Sequence, residues 1–135
     1  MKKVFILDDS IERIPLLRKV AVVLNAPDEC EFHIAHEVNE AIKKLPPKSS
    51  WDLLFLDHDL AGQVYLDSSH PDTGYHVAKH IEKNEVGFKF CILHSMNFAG
   101  AENMESVLKD KGKVVRVPFV SLRSMCVWSG ENGEV

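Results

Sequence analysis

The run WDLLFL, Trp51 to Leu56, limits the folds open to this chain more than any other stretch. After Asp52 every position is apolar, so both faces of a strand formed here need cover. Strands of that kind sit in the middle of a parallel sheet with helices on either side. The run then gives way to Asp57, His58 and Asp59. Three consecutive titratable residues at the end of a buried strand point to a site.

The rest of the chain supplies neighbours for such a strand. Lys3–Leu7, Glu31–Ala35, Phe88–Leu93 and Lys113–Val117 are predicted strands, the second the weakest. Between them the apolar residues return at helical spacing. Ile11, Ile14, Leu17, Val20 and Leu24 mark a first helix, capped by Asp9 or Ser10. Pro15 sits badly in a helix interior, so that helix starts late or bends. Glu37–Leu45 is a short helix stopped by Pro46 and Pro47. Gly74–Lys83 follows, with Val77, Ala78 and Ile81 inward and Asp72 or Thr73 near its cap. Ala99–Lys111 is the next helix, with Met104 and Leu108 on one face and Gly112 as its stop. Strand and helix alternate throughout, which predicts an α/β sandwich with parallel strands and crossover helices. The predicted domain spans 1–120, and 121–135 reads as a short tail ending in frayed ENGEV.

Composition removes several classes of function. The 135 residues suit one domain, and 45% hydrophobic residues can build its core. A net charge of -4, with no basic stripe, argues against duplex DNA. The apolar runs are too short for a bilayer, and MKKVFILDD is too short for a signal peptide, so no membrane is expected and a cytoplasmic location is. Cys30, Cys91 and Cys126 are widely spaced and odd in number, which fits neither a disulfide framework nor a structural zinc site.

In an open α/β sheet ligands gather at the carboxyl ends of the strands. Those ends carry Asp8 and Asp9, then Asp57, His58 and Asp59, then His94, Ser95 and Asn97, and finally Arg116 beside Pro118. Converging carboxylates repel one another unless a divalent cation sits among them, and oxygen donors favour Mg²⁺ or Mn²⁺. Asp8, Asp9, Asp57 and Asp59 are the candidate ligands. His58 and His94 are candidates for general acid and base, and Asn97 for orienting a water or a phosphate oxygen. Each also has a plainer reading. The first acids can cap a helix, His58 can be a wall residue, and His94 can be a core histidine bonded to a carbonyl. His33, His36, His70, His76 and His80 read as surface, loop or packing residues.

The segments ILDDS, LFLDHDL, DTGYHVAKHI and VVRVPF resemble the receiver domain of response regulators from Val4 to Phe119. The resemblance implies a flavodoxin-like sheet in order 2-1-3-4-5, a metal-binding pair at Asp8 and Asp9, and a phosphoacceptor at Asp57. Thr73-Gly74 stands where receivers usually carry Asp-Gly. The departures are specific. Val117 occupies the position of the receiver lysine, His94 or Ser95 that of the Thr/Ser, and the loop from Ala61 to Asp72 is long. LDHDL, DTGYHVAKHI, HSMN and AENM, in that order, are more similar to the cyclic-phosphate processing receiver family. That likeness implies a metal-dependent phosphoesterase acting on the cyclic phosphate of a small molecule or an RNA end. Asp57, His58, His94 and Asn97 would be its catalytic group, and Ser95 and Arg116 its substrate contacts. Strand alternation nevertheless aims Arg116 away from the face Val117 shares. The alternatives are a receiver phosphorylated on Asp57 that signals to a protein partner, and a receiver-like module that binds without chemistry.

Overall fold

The computed structural model describes residues 1–125. Chain order is β1 (Lys2–Leu7), α1 (Ile14–Asn25), β2 (Cys30–Ala35), α2 (Val38–Lys44), β3 (Ser50–Leu56), α3 (Gly74–Lys83), β4 (Gly87–Leu93), α4 (Phe98–Leu108) and β5 (Lys113–Arg116). The strands form one parallel sheet in the order β2-β1-β3-β4-β5, the expected topology.

Strand alternation divides the core in two. Val4, Ile6, Leu53, Phe55 and Ile92 face α1, which buries Ile14, Leu17, Val20 and Ala21 against them. Phe5, Leu7, Leu54, Leu56, Cys91 and Leu93 face α2, α3 and α4, which contribute Ala41, Val77, Ala78, Ile81, Ala101, Met104 and Leu108. The run 53–56 therefore feeds both layers, and its four side chains are at most 2% exposed. At about 1.5–3 kcal/mol for each large apolar side chain, these residues dominate the stabilisation of the centre.

The first helix starts late, as expected, but its cap and the ends of its apolar stripe need correction. Pro15 lies in the first turn of α1, where its missing N–H costs nothing, because the helix begins only at Ile14 with Arg13 as its cap residue. Neither Asp9 nor Ser10 caps it, and Ile11, ahead of the helix, is 79% exposed. Leu24, near the other end, also faces solvent. Finally, the chain is helical again over 119–125, and Leu122 is buried on the α1 layer, so the packed body continues past residue 120. Cys126 and ENGEV lie outside the described residues. Cys30 and Cys91 are free thiols. Among the described residues no helix is long and apolar enough to cross a membrane.

Candidate active site

The sheet ladder runs one step beyond the strands and seats the first polar residue after each. The amide of Asp8 donates to Ala35 O (3.1 Å), that of Asp57 to Leu7 O (3.1 Å), and that of His94 to Leu56 O (3.3 Å). Leu7, Leu56 and Leu93 face α2, α3 and α4, so the next residue in each strand turns to the α1 side. Asp8, Asp57 and His94 accordingly meet there, all nearly inaccessible to solvent. Their donor atoms lie within 4.8 Å of one another. The Nε2–H of His94 donates to Asp8 Oδ2 (2.9 Å), and the amide of Ser10 donates to Asp8 Oδ1 (2.8 Å). Phe119 donates its amide to His94 O (2.9 Å) and fixes that residue from the far side.

Burial pushes the Asp57 carboxyl up to about 6, and the charge of Asp8 adds to the rise, while His94, Arg13 and the amide of His58 oppose it. Arg13 was not expected here. Its Nη1 lies 3.5 Å from Asp57 Oδ2 and 3.9 Å from Asp8 Oδ2, and its guanidinium rests 5.1 Å from the centre of the Phe119 ring. The signal was available in Pro15: a helix that begins at 14 leaves residues 8–13 to fold over the strand end.

The second polar residue at each strand end falls on the opposite side. His58 is fully buried beneath α4, where a Cβ at Gly100 would overlap its ring. Its Nδ1 lies 2.7 Å from Asp59 Oδ1 and its Nε2 2.9 Å from Ser68 Oγ. Both nitrogens are committed to the loop that follows β3, so His58 lies in the wall beneath that loop and outside the acidic cluster. Asp59 accepts the amides of Tyr65 and Leu66 and the Asn97 side-chain amide, and it lies outside the cluster of Asp8, Asp57 and His94. Burial alone would raise its carboxyl, but hydrogen bonds from His58, Asn97 and Tyr65 outweigh that and hold it below the usual range. Asn97 caps α4, its Oδ1 accepting from Gly100 N (2.9 Å) while its Nδ2 donates to Leu66 O (2.9 Å). Ser95 Oγ accepts from the Asn97 amide (3.0 Å). Asp9 is parted from Asp8 and Asp57, because its carboxylate takes the amide of Gly62 (2.6 Å). Arg116 is bound by Glu105 of α4 (3.0 Å), across the sheet from the cluster. Val117 points to the α1 layer, where it packs in the core.

The loop from Asp59 to Thr73 is folded upon itself. A bridge between those two residues closes its base, and the Thr73 hydroxyl donates inside it to Ser68 O and His70 O. Its near side and the strand ends enclose a cavity of about 370 Å³, lined by Arg13, Asp57, Tyr65, Ser95 and Asn97 among others. Asp9 and Asp59 also line it, as rim groups tied to the loop. Two carboxylates within one coordination distance of each other, with an imidazole beside them, are a set that fits a divalent cation. Among the described residues, His94 Nδ1 is the buried side-chain nitrogen or oxygen without a hydrogen-bond partner, as a site built for something more would have.

A 2-1-3-4-5 parallel sheet with buried acids at the ends of β1 and β3 defines the receiver class. Solved receivers agree in fold. TrrA of Thermotoga maritima, in a complex with Mg²⁺ and BeF, matches with TM-score 0.59 at 22% identity, covering 95% of this chain and 98% of that one. The phosphorylated cyanobacterial phytochrome response regulator RcpA matches at 0.61 and 15%, covering 96% and 91%. Rcp1, in its Mn²⁺-bound form, matches at 0.58 and 12%, covering 96% and 93%. No curated protein matches the chain. Within the receiver class, the chain belongs to the cyclic-phosphate processing receiver domain family, whose model matches residues 3–110.

Proposed function

We propose that this protein is a metal-dependent phosphoesterase that opens a cyclic phosphate on a nucleotide or an RNA end. The observation that carries the reading is the buried trio of Asp8, Asp57 and His94 beside the cavity. Asp8 and Asp57 would hold the cation, Mg²⁺ or Mn²⁺, and both ions stand in the receivers named above. A cation there supplies Lewis-acid polarisation of a phosphate oxygen and a water of lowered pKa. Asp57 lines the cavity that a phosphoester would occupy. His94 would take, at Nδ1, the proton of a water whose oxygen bonds to phosphorus as a ring P–O ester bond breaks, and Asp8, already bonded to Nε2, orients the imidazole and offsets the charge it gains. The leaving oxygen takes its proton from the solvent side of the cavity. Asp9, His58, Asp59 and Asn97 shape the loop that walls the site, and Ser95 lines it.

A second reading is a receiver phosphorylated on Asp57, and the placement of that carboxylate on the cavity wall favours it. Against it stands Val117, which brings an isopropyl group where a receiver lysine would pair with the acyl phosphate. One experiment separates the two. Wild type and His94→Ala are incubated with Mn²⁺ and a nucleoside 2′,3′-cyclic phosphate, an RNA with a cyclic end, and a linear phosphate ester. A parallel sample receives acetyl phosphate. Turnover of a cyclic substrate that falls about 10²- to 10⁴-fold in His94→Ala, with Mn²⁺ binding retained, is the expected result. A wild type that gains the mass of one phosphoryl group and hydrolyses no cyclic ester would replace this reading with the second.

A further inference from the structure

The cavity would take an anion, yet its deepest groups are acids. Repulsion between a phosphate and Asp8 or Asp57 must be offset, and a single dication shared by two carboxylates leaves nothing over for a doubly charged substrate or product. Arg13 is the cation among the described residues that line the cavity. Its side chain is 34% exposed and lines the cavity. The 3.5 and 3.9 Å separations from Asp57 and Asp8 are those of a loose ion pair, longer than a charge-assisted hydrogen bond. The Arg13 guanidinium carbon lies over the Phe119 ring, a cation–π contact that holds the end of the side chain beside the cavity.

We propose that Arg13 is the phosphate-binding residue of this site, assuming the charge that Val117 cannot carry. While the acids are bare, Arg13 neutralises them. A dication held by the same carboxylates would displace that pairing, and like-charge repulsion would let the guanidinium turn outward into the cavity. There its planar fork matches two non-bridging oxygens of a phosphate monoester or diester, a geometry that a lysine cannot copy. The inference rests on the metal-site reading above, but it predicts effects on metal and on anion binding that have opposite signs.

Arg13→Gln and Arg13→Lys are compared with wild type by calorimetry, first with Mn²⁺ alone and then with inorganic phosphate at saturating Mn²⁺. Thermal melts check that each variant folds. In Arg13→Gln the Mn²⁺ affinity should rise about 3- to 10-fold, because a competing cation is gone. The phosphate affinity should fall about 10- to 100-fold, the scale of lost charge-assisted hydrogen bonds. Arg13→Lys, which keeps the charge and loses the fork, should hold the wild-type Mn²⁺ affinity and recover part of the phosphate binding. Mn²⁺ affinity that falls or stays level in Arg13→Gln, or phosphate affinity that stays at the wild-type value, would overturn the proposal, and the side chain would then be a structural ion pair. If wild type binds phosphate through Arg13 but opens no cyclic ester, the anion site stands and the phosphoesterase reading falls. If wild type binds no Mn²⁺, both fall.

Discussion

Asp57 carries most of the electrostatic tension in the molecule. A carboxyl raised to about 6 binds its proton more tightly in the native state than in the unfolded chain, whose aspartates titrate near 3.8. The sign follows by linkage: stability falls as pH rises from about 4 through about 6, and above that range the ionised, buried acid costs on the order of 2–3 kcal/mol. Asp57→Asn removes that cost. In metal-free buffer at pH 7.5 the variant should melt higher than wild type, with the gain shrinking toward zero near pH 4; a lower melting temperature at pH 7.5 would contradict this account. Asp8, Asp57 and His94 were legible as site residues because each directly follows an apolar run. The same rule of alternation, pressed harder, would have separated them from Asp9, His58 and Ser95, which turn to the other side. Arg13 was missed for a different reason, although Pro15 carried the signal. Its place depends on where α1 begins, and helix starts are harder to read than helix faces.

Two close approaches join the elements around the site. A Cβ on Gly74 would strike the carbonyl oxygen of Asp57, and one on Gly100 would strike the His58 ring. Glycine at these points lets α3 and α4 start hard against the end of β3. Gly100→Ala must displace His58 or tilt α4, and either costs about 1–3 kcal/mol. Melting should show the loss, with faster proteolysis in the loop between Asp59 and Thr73 as His58 lets go of Ser68. Gly87→Ala is the control, since its Cβ would meet its nearest neighbour at 3.7 Å and should change little. Among the elements, α3 was read to the residue, because Val77, Ala78 and Ile81 form an uninterrupted inner face between a glycine start and a charged end. The stripe in α1 was over-extended at both ends. Ile11 and Leu24 keep the helical spacing but fall beyond the part of the helix the sheet covers.

At the scale of the whole molecule, the site lies where the strand order reverses between β1 and β3, so it draws on distant parts of the chain. One of those parts is the segment after β5. The family match ends at residue 110, but Phe119 bonds the backbone of His94, supports Arg13, and leads into a helix that buries Leu122. A chain stopped at Val117 would keep all five strands and every buried acid. It should still lose phosphate affinity, because Arg13 loses its support, while one stopped at Met125 should keep it, as paired titrations would show. The practical consequence concerns where the gene can be cut. A boundary drawn at the end of the recognisable motif would yield a protein that looks entire in its sequence and arrives without the ring that Arg13 rests on.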